Sequence, residues 1–227
     1  MNITYYGHSS ILVEEGGVRV IIDPLLSGNP GSGIEPSDVK VDAVVLTHGH
    51  SDHFGDCIEI AKQNDCPIIA VYELAVYCGQ QGAKSHGMNI GGSAQFDGFK
   101  VKFTPAFHSS SVSVGDTWIY AGQPGGVILT MGGKTFYHAG DTSLFGDMRL
   151  IGEMNDIDAA ALPIGDMLTM GPQDALLAAQ WIRAKHVIPV HYDTFPGIKQ
   201  DARAFCDELA QTGIQGHPLK AGETLEI

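Results

Sequence analysis

The chain has 227 residues, 44% of them hydrophobic and 17% charged, the balance of an ordinary globular protein long enough for one well-cored domain. Its formal net charge is -13, from 26 acidic against 13 basic side chains. That argues against a nucleic-acid backbone or an anionic membrane as the main partner, since either needs a basic face, but leaves room for a small phosphorylated substrate if bound metal ions supply positive charge locally.

Residues 2–6, 10–14 and 18–22 are short β-prone runs, the last two joined across Gly16-Gly17 in a hairpin. Pro24 ends the third run, directly after Asp23. Residues 26–37, rich in Gly, Ser and Pro, predict a loop of a length that is often functional. The Val-rich run 42–47 reads as a short buried strand, and Phe54–Gln63 has apolar residues at 54, 57, 58 and 61, the spacing of a helix. A strand at 67–72 and a helix at 73–81 follow. Next is a β-rich block at 93–97, 100–107, 112–114, 117–121, 126–131 and 134–138, with its clearest hairpin turn at Gly132-Gly133. The last third predicts a buried strand at 158–163, then a helix opened by Gly171-Pro172-Gln173-Asp174 that buries Ala175, Ala178, Ala179 and Ile182. A strand at 186–190, a helix at 199–211 and a strand at 224–227 complete the chain. The order alone gives α and β, mostly antiparallel; runs of strands interrupted and followed by helices suggest two packed sheets with helices outside, and no composition break divides the one domain over 1–227.

No basic stretch followed by an apolar core opens the sequence, and no apolar run reaches the ~18–20 residues of a membrane span. Neither a signal peptide nor membrane insertion is expected. Cys57, Cys66, Cys78 and Cys206 lack metal-ligand spacing and read as small buried hydrophobes, consistent with a cytoplasmic location. Phe99, Trp118 and Tyr120 read as core residues, with an interface as the alternative, so a homo-oligomer stays open.

The chemistry concentrates in Thr47–His53. His48, His50, Asp52 and His53 place three imidazoles and a carboxylate within six residues, in a tight strand-to-helix loop. There His48 and His50 can point one way while Asp52 and His53 reach a second point, a donor set suited to zinc and similar divalent ions. His108, Asp141 and His191 each stand where an apolar run stops. Taken singly each has a bland reading, and Gly140-Asp141-Thr142 would pass for a turn.

His48-Gly49-His50-Ser51-Asp52-His53 resembles the HxHxDH signature of the metallo-β-lactamase-fold hydrolase superfamily. Ile3-Thr4-Tyr5-Tyr6-Gly7-His8-Ser9-Ser10, Asp23-Pro24, Gly140-Asp141-Thr142 and Pro189-Val190-His191-Tyr192 fall in the order expected of it, so the resemblance covers most of the chain. The set is most similar to the bacterial and archaeal metal-dependent hydrolases related to sugar-lactone hydrolases and N-acyl-phosphatidylethanolamine phospholipases. The resemblance implies an α+β fold, a four-layer αββα sandwich with the metal site at one edge of the sheets. It implies two divalent ions, zinc first, with manganese, nickel and iron tolerated. His48, His50 and His108 would hold one, Asp52, His53 and His191 the other, and Asp141 would bridge them. Such a pair traps a bridging hydroxide as nucleophile, the pKa of its water falling to about 7, with Asp52 and Asp141 as the catalytic carboxylates.

Asp141 sets the chain apart from the β-lactamases of this fold, which generally lack a bridging aspartate, and His50 stands where diiron redox relatives carry Glu. The length leaves no room for an added helical domain or an RNA-clasping arm. A small ester, lactone or phosphodiester is therefore the implied substrate. A metal-binding scaffold or sensor without turnover, and a nucleic-acid phosphodiesterase, are the alternatives. Asp23 is expected to accept the second N–H of a metal-bound imidazole. His8 and His138 either touch substrate or satisfy buried backbone groups. Thr142 either supports a metal ligand or faces substrate, and with Ser109–Ser111, Ser143 and the segment 162–170 it should lie near the metals. Asp166 in that segment is a solvent-facing acid or a carboxylate that repels anions. His86, His186 and His217 read as structural or solvated.

Overall fold

The computed structural model describes residues 1–29 and 31–227; position 30, within the loop expected at 26–37, lies outside the described residues. The chain opens with an antiparallel meander of β1 (Asn2–Tyr5), β2 (Ile11–Glu15) and β3 (Val18–Ile22). β4 (Ala43–Val45) then pairs parallel to β3. Two short helices, α1 (Ser51–Phe54) and α2 (Cys57–Gln63), carry the chain to β5 (Ile68–Val71), and α3 (Tyr72–Gln80) carries it to β6 (Ser85–Met88); both strands add in parallel.

A second sheet starts with β7 (Ser93–Gln95) and β8 (Phe99–Pro105). The hairpin of β9 (Ser111–Val114) and β10 (Thr117–Tyr120) stands apart as its own two-stranded sheet. β11 (Gly125–Met131) and β12 (Lys134–His138) return antiparallel to β8. The chain then alternates α4 (Met148–Met154), β13 (Ala159–Pro163), α5 (Pro172–Ile182), β14 (His186–Val190), α6 (Ala202–Gln211) and β15 (Gln215–Gly216), with the strands parallel. β16 (Thr224–Glu226) leaves this sheet and pairs with β1. Two seven-stranded sheets result, ordered β16-β1-β2-β3-β4-β5-β6 and β15-β14-β13-β12-β11-β8-β7.

The strand directions correct the mostly antiparallel expectation: each large sheet is antiparallel in one half and parallel in the other. Neighbouring parallel strands need a crossover between them, which the helices and the long β3–β4 connection supply here. Every residue of β4, β5 and β13 is buried, as expected for parallel strands covered on both faces.

Side-chain alternation fixes the layers. Val127, Leu129, Phe136, Ala159, Ala161, Ile188 and Val190 face a core shared with the first sheet. Their neighbours Ile128, Tyr137, Ala160, Leu162 and Val187 face a second core made with α4, α5 and α6. With α2 and α3 against β4 and β5, the result is the expected α-β-β-α sandwich.

Local differences have local causes. The helix expected at 54–63 is broken at Gly55, whose φ of 42° and ψ of -127° end α1. A Cβ there would lie 2.3 Å from the Pro24 carbonyl oxygen, so the helix break lets this turn pack on the Asp23-Pro24 corner. α4 was not expected from the sequence, because Gly152 weakens its helical pattern; that glycine lets the carbonyl of Trp181 approach, leaving 2.3 Å to a built Cβ. β6 and β15 are short, mostly polar edge strands recognisable only by their ladders. Phe99 is core, as expected, but Trp118 and Tyr120 are 66% and 67% exposed on β10, which corrects their core reading. All four cysteines are buried and unpaired.

Candidate metal centre

The site forms where strands stop. Thr47 and His48 follow β4, Asp23 follows β3, His8 follows β1, His108 follows β8, Asp141 follows β12 and His191 follows β14. Both sheets thus deliver polar side chains to a shared edge. His8, Asp23 and His191 sit there at φ of 54°, 48° and 56°, a left-handed backbone that costs a non-glycine residue roughly 1–3 kcal/mol. Hydrogen bonds hold them in it: the His191 N–H donates to the His8 carbonyl at 2.8 Å, and the Asp23 N–H donates to Val45 O at 3.1 Å.

His48, His50 and His108 form one group. His48 Nε2 and His108 Nε2 lie 3.0 and 3.3 Å from the same atom, His50 Nδ1. Neutral imidazoles cannot all donate into one another, whereas nitrogens about 2.0–2.1 Å from a tetrahedral ion sit roughly 3.3 Å apart. Asp52, His53 and His191 form the second group, joined by His8: the four offer atoms within 4.8 Å of one another. Asp141 stands between the groups. Its Oδ1 is 3.2 Å from His53 Nε2, and its Oδ2 is 3.0 Å from His191 Nε2, 3.5 Å from His108 Nε2 and 3.9 Å from His48 Nε2. His53 Nε2, Asp141 Oδ1 and both ring nitrogens of His191 are buried without an aligned hydrogen-bond partner. Of these, His53 Nε2, His191 Nε2 and Asp141 Oδ1 gather at the Asp141 carboxylate, a set that fits a divalent cation better than it fits itself.

Asp23 sets two of the rings. It is fully buried, accepts from the Thr47 N–H (2.8 Å) and hydroxyl (2.6 Å), and accepts at 2.7 Å from His53 Nδ1–H. Since the Thr47 hydroxyl donates to Asp23, it accepts from His48 Nδ1–H at 3.0 Å. Both rings therefore turn Nε2 toward the site, open to a cation once the ring is neutral. The same support runs through Thr47, which sequence reasoning missed although it directly precedes the motif.

His8 is 1% exposed, with Nε2 3.1 Å from Asp52 Oδ2 and Nδ1 3.0 Å from Thr194 Oγ1. Thr194 carried no signal in the sequence. His138 is fully buried and serves the backbone on both sides: Nε2–H donates to Ser9 O at 2.9 Å, and Nδ1 accepts from the Gly140 N–H at 3.0 Å. It staples the His8 loop to the Asp141 turn. Thr142 is buried; its hydroxyl accepts from the Phe107 N–H (3.0 Å) and donates to Ser143 O (2.8 Å), tying the His108 loop to the Asp141 turn. Ser109 is exposed with its hydroxyl 3.4 Å from His50 Nε2, while Ser110 is buried against the Gly49 N–H. Asp166 is a solvent-facing loop residue at φ 69°. His186 and His217 pair with each other at 2.9 Å, and His86 packs edge-on against Phe96, so none of the three joins the site.

Burial pushes His48 well below the usual imidazole range and His8 down to about 4. Burial also opposes charge on His53 and His191, but Asp141, with Asp23 in the case of His53, outweighs it: His53 is raised well above its ordinary value and His191 to about 9. Burial raises the Asp52 and Asp141 carboxyls, yet the surrounding imidazoles win and hold both below the usual carboxylate range. A cation bound here would compete with the protons that Asp141 favours on His53 and His191.

The family profile described as "Beta-lactamase superfamily domain" matches residues 18–192. The UPF0173 metal-dependent hydrolase YtkL of Bacillus subtilis is 55% identical, with both chains fully covered. Among solved structures, Igni18, a metallo hydrolase from the archaeon Ignicoccus hospitalis, matches with a TM-score of 0.90 at 39% identity, covering 100% of this chain and 98% of that one. The isothiocyanate hydrolase from Delia radicum gut bacteria shares the fold alone, with a TM-score of 0.76 at 22% identity, covering 100% of this chain and 99% of that one.

Proposed function

The chain belongs to the metal-dependent hydrolases of the β-lactamase superfamily, and on that premise we propose that it is a dinuclear enzyme that hydrolyses a small ester, lactone or phosphodiester. The observation that carries the reading is the position of the Asp141 carboxylate, within 3.0–3.9 Å of imidazoles from both donor groups. In this reading His48, His50 and His108 hold one divalent ion, Asp52, His53 and His191 hold the other, and Asp141 serves both. Zinc suits the imidazole and carboxylate donors best, with manganese, nickel and iron as alternatives.

Two ions bound here would supply a water ionised near neutral pH and a Lewis acid for the electrophile. The remaining work falls to the chain. Asp23 and Thr47 fix the tautomers of His53 and His48. His8 donates from Nε2 to Asp52 Oδ2 and steadies a carboxylate placed to orient the attacking water and take its proton. His138 and Thr142 hold the loops bearing His8, Asp141 and His108 in register.

Residues 1–227 act as one domain in this proposal, on a small molecule in the cytoplasm, without nucleic acid and without membrane insertion. Among the described residues no helix is long and apolar enough to cross a membrane. The test is elemental analysis of purified protein beside a panel of chromogenic esters, lactones and phosphodiesters. Two ions per chain with one bond class cleaved, both lost in Asp141→Ala, would support the proposal. One ion or none would sink the bridging role of Asp141. Two ions with no turnover would favour the scaffold or sensor reading.

A further inference from the structure

The loops beyond the donors carry large apolar side chains where an anion-binding site would carry cations. Phe107 directly precedes His108 and is 62% exposed, resting on Phe145 with ring centroids 5.1 Å apart. The Met170 N–H donates to Thr142 O at 2.9 Å and brings in the loop 166–170, on which Met167 is 67% exposed. Met167 packs over Gly197, its Cε only 2.6 Å from where a Cβ would stand, so the arc continues to the turn bearing Phe195. Phe195, 39% exposed, lies edge-on to the His8 ring at 5.3 Å and closes the arc. Phe107 thus borders His108, Phe195 borders His8, and Met167 lies over the turn that carries Phe195.

The charged side chains on these loops are few; they include the exposed Asp166 beside Met167 and the exposed Lys199 two residues beyond Gly197. Among the described residues, the carboxylates of Asp52 and Asp141 form ion pairs with imidazoles only. Lys220 lines a cavity of about 450 Å³ on the Thr194 side of His8, which Asp52, Asp141 and His191 do not line. A phosphodiester keeps its negative charge throughout and is ordinarily gripped by Arg or Lys forks. A carboxylic ester is neutral and needs only a surface for its apolar part. Exposed aromatic side chains beside a polar centre are what such a ligand buries.

We propose that the substrate is an uncharged carboxylic ester or lactone whose hydrophobic group lies against Phe107, Met167 and Phe195, next to the donor cluster. The proposal rests on the hydrolase reading and narrows it to one bond class. Water adds across the acyl C–O bond, giving a carboxylic acid that ionises and a free alcohol (one hydroxy acid in the lactone case).

The test compares p-nitrophenyl acetate, butyrate, hexanoate and octanoate with bis(p-nitrophenyl) phosphate on metal-loaded full-length protein and on Phe107→Ala and Phe195→Ala. The expected result is a rise in kcat/KM of about tenfold or more from acetate to octanoate, less than full burial of every methylene would give. The rise should flatten to about threefold or less in both variants. A flat series in the unmodified protein, or faster cleavage of the phosphodiester, would overturn the proposal. Calorimetric titration with acetohydroxamate and octanohydroxamate separates this failure from that of the parent reading. If no substrate is turned over, the hydrolase reading falls; tighter binding of the octanoyl compound, lost in both variants, would still support the apolar arc, and equal binding would reject it.

Discussion

The first sheet delivers its donors through one loop, with His48, His50, Asp52 and His53 inside six residues, whereas the second sends His108, Asp141 and His191 singly from the ends of β8, β12 and β14. The compact half depends on the shape of one turn, held by Asp23, Thr47 and the Gly55 break. The dispersed half depends on the mutual register of three strands, held by ladder hydrogen bonds and by the clasps of His138 and Thr142. One half is vulnerable to local backbone change and the other to anything that slides a strand end.

The sharpest challenge is Asp141→Ala, since this carboxylate, sent from the dispersed half, lies within 3.0–3.9 Å of imidazoles of both halves. Loss of activity on the order of a thousandfold, about 4 kcal/mol, is expected, together with a fall in bound metal. Full metal content would remove the link between the halves. Gly55→Ala attacks the compact half alone. The methyl group clashes with Pro24 and favours the wrong φ, so about 3 kcal/mol of stability should disappear in denaturant melts. An unchanged midpoint would mean that the turn has slack.

His138→Phe is its counterpart in the dispersed half. It leaves Ser9 O and the Gly140 N–H buried without partners, a loss of about 2 kcal/mol on the same melts. Metal binding should weaken as the Asp141 turn loosens, and the comparison fails if metal affinity is untouched. Asp23→Asn is subtler: an amide turns one donor toward the donors of Thr47 and His53, and metal affinity should fall about 10–100-fold by competition with a chromogenic chelator. The smallest effect sets the baseline. Asp201 caps α6 by accepting from the N–H groups of Arg203 and Ala204, so Asp201→Ala should cost about 1 kcal/mol and leave the metal content as it was.

The same division governs how much of the molecule could be read beforehand. Four donors in six residues announce a metal site by spacing alone, and Asp23 before Pro24 was legible as a support. His108, Asp141 and His191 acquire meaning only when a sheet lines up strand ends, which is why the family resemblance, and not the local pattern, picked them out. The part of Thr142 stayed open between support and substrate because a hydroxyl beside a metal ligand looks free until the backbone N–H it serves is seen. Thr194 was invisible for the same reason. In the fold, uniformly buried runs such as Ala159–Pro163 gave strands but not their direction, since burial on both faces requires knowledge of the helices that cover them. Edge strands as polar as Ser85–Met88 are made by their neighbours.

β16 pairs with β1, and the hydroxyls of Thr4 and Thr224 touch at 2.8 Å across 220 positions of sequence. The sheet that carries the compact donor loop therefore keeps a bare edge until residues 224–226 have been synthesised and have returned to it. Contacts of such long range form slowly. During that interval β1 is a template for the strand of any neighbouring chain, so recovery from denaturant should fall as protein concentration rises.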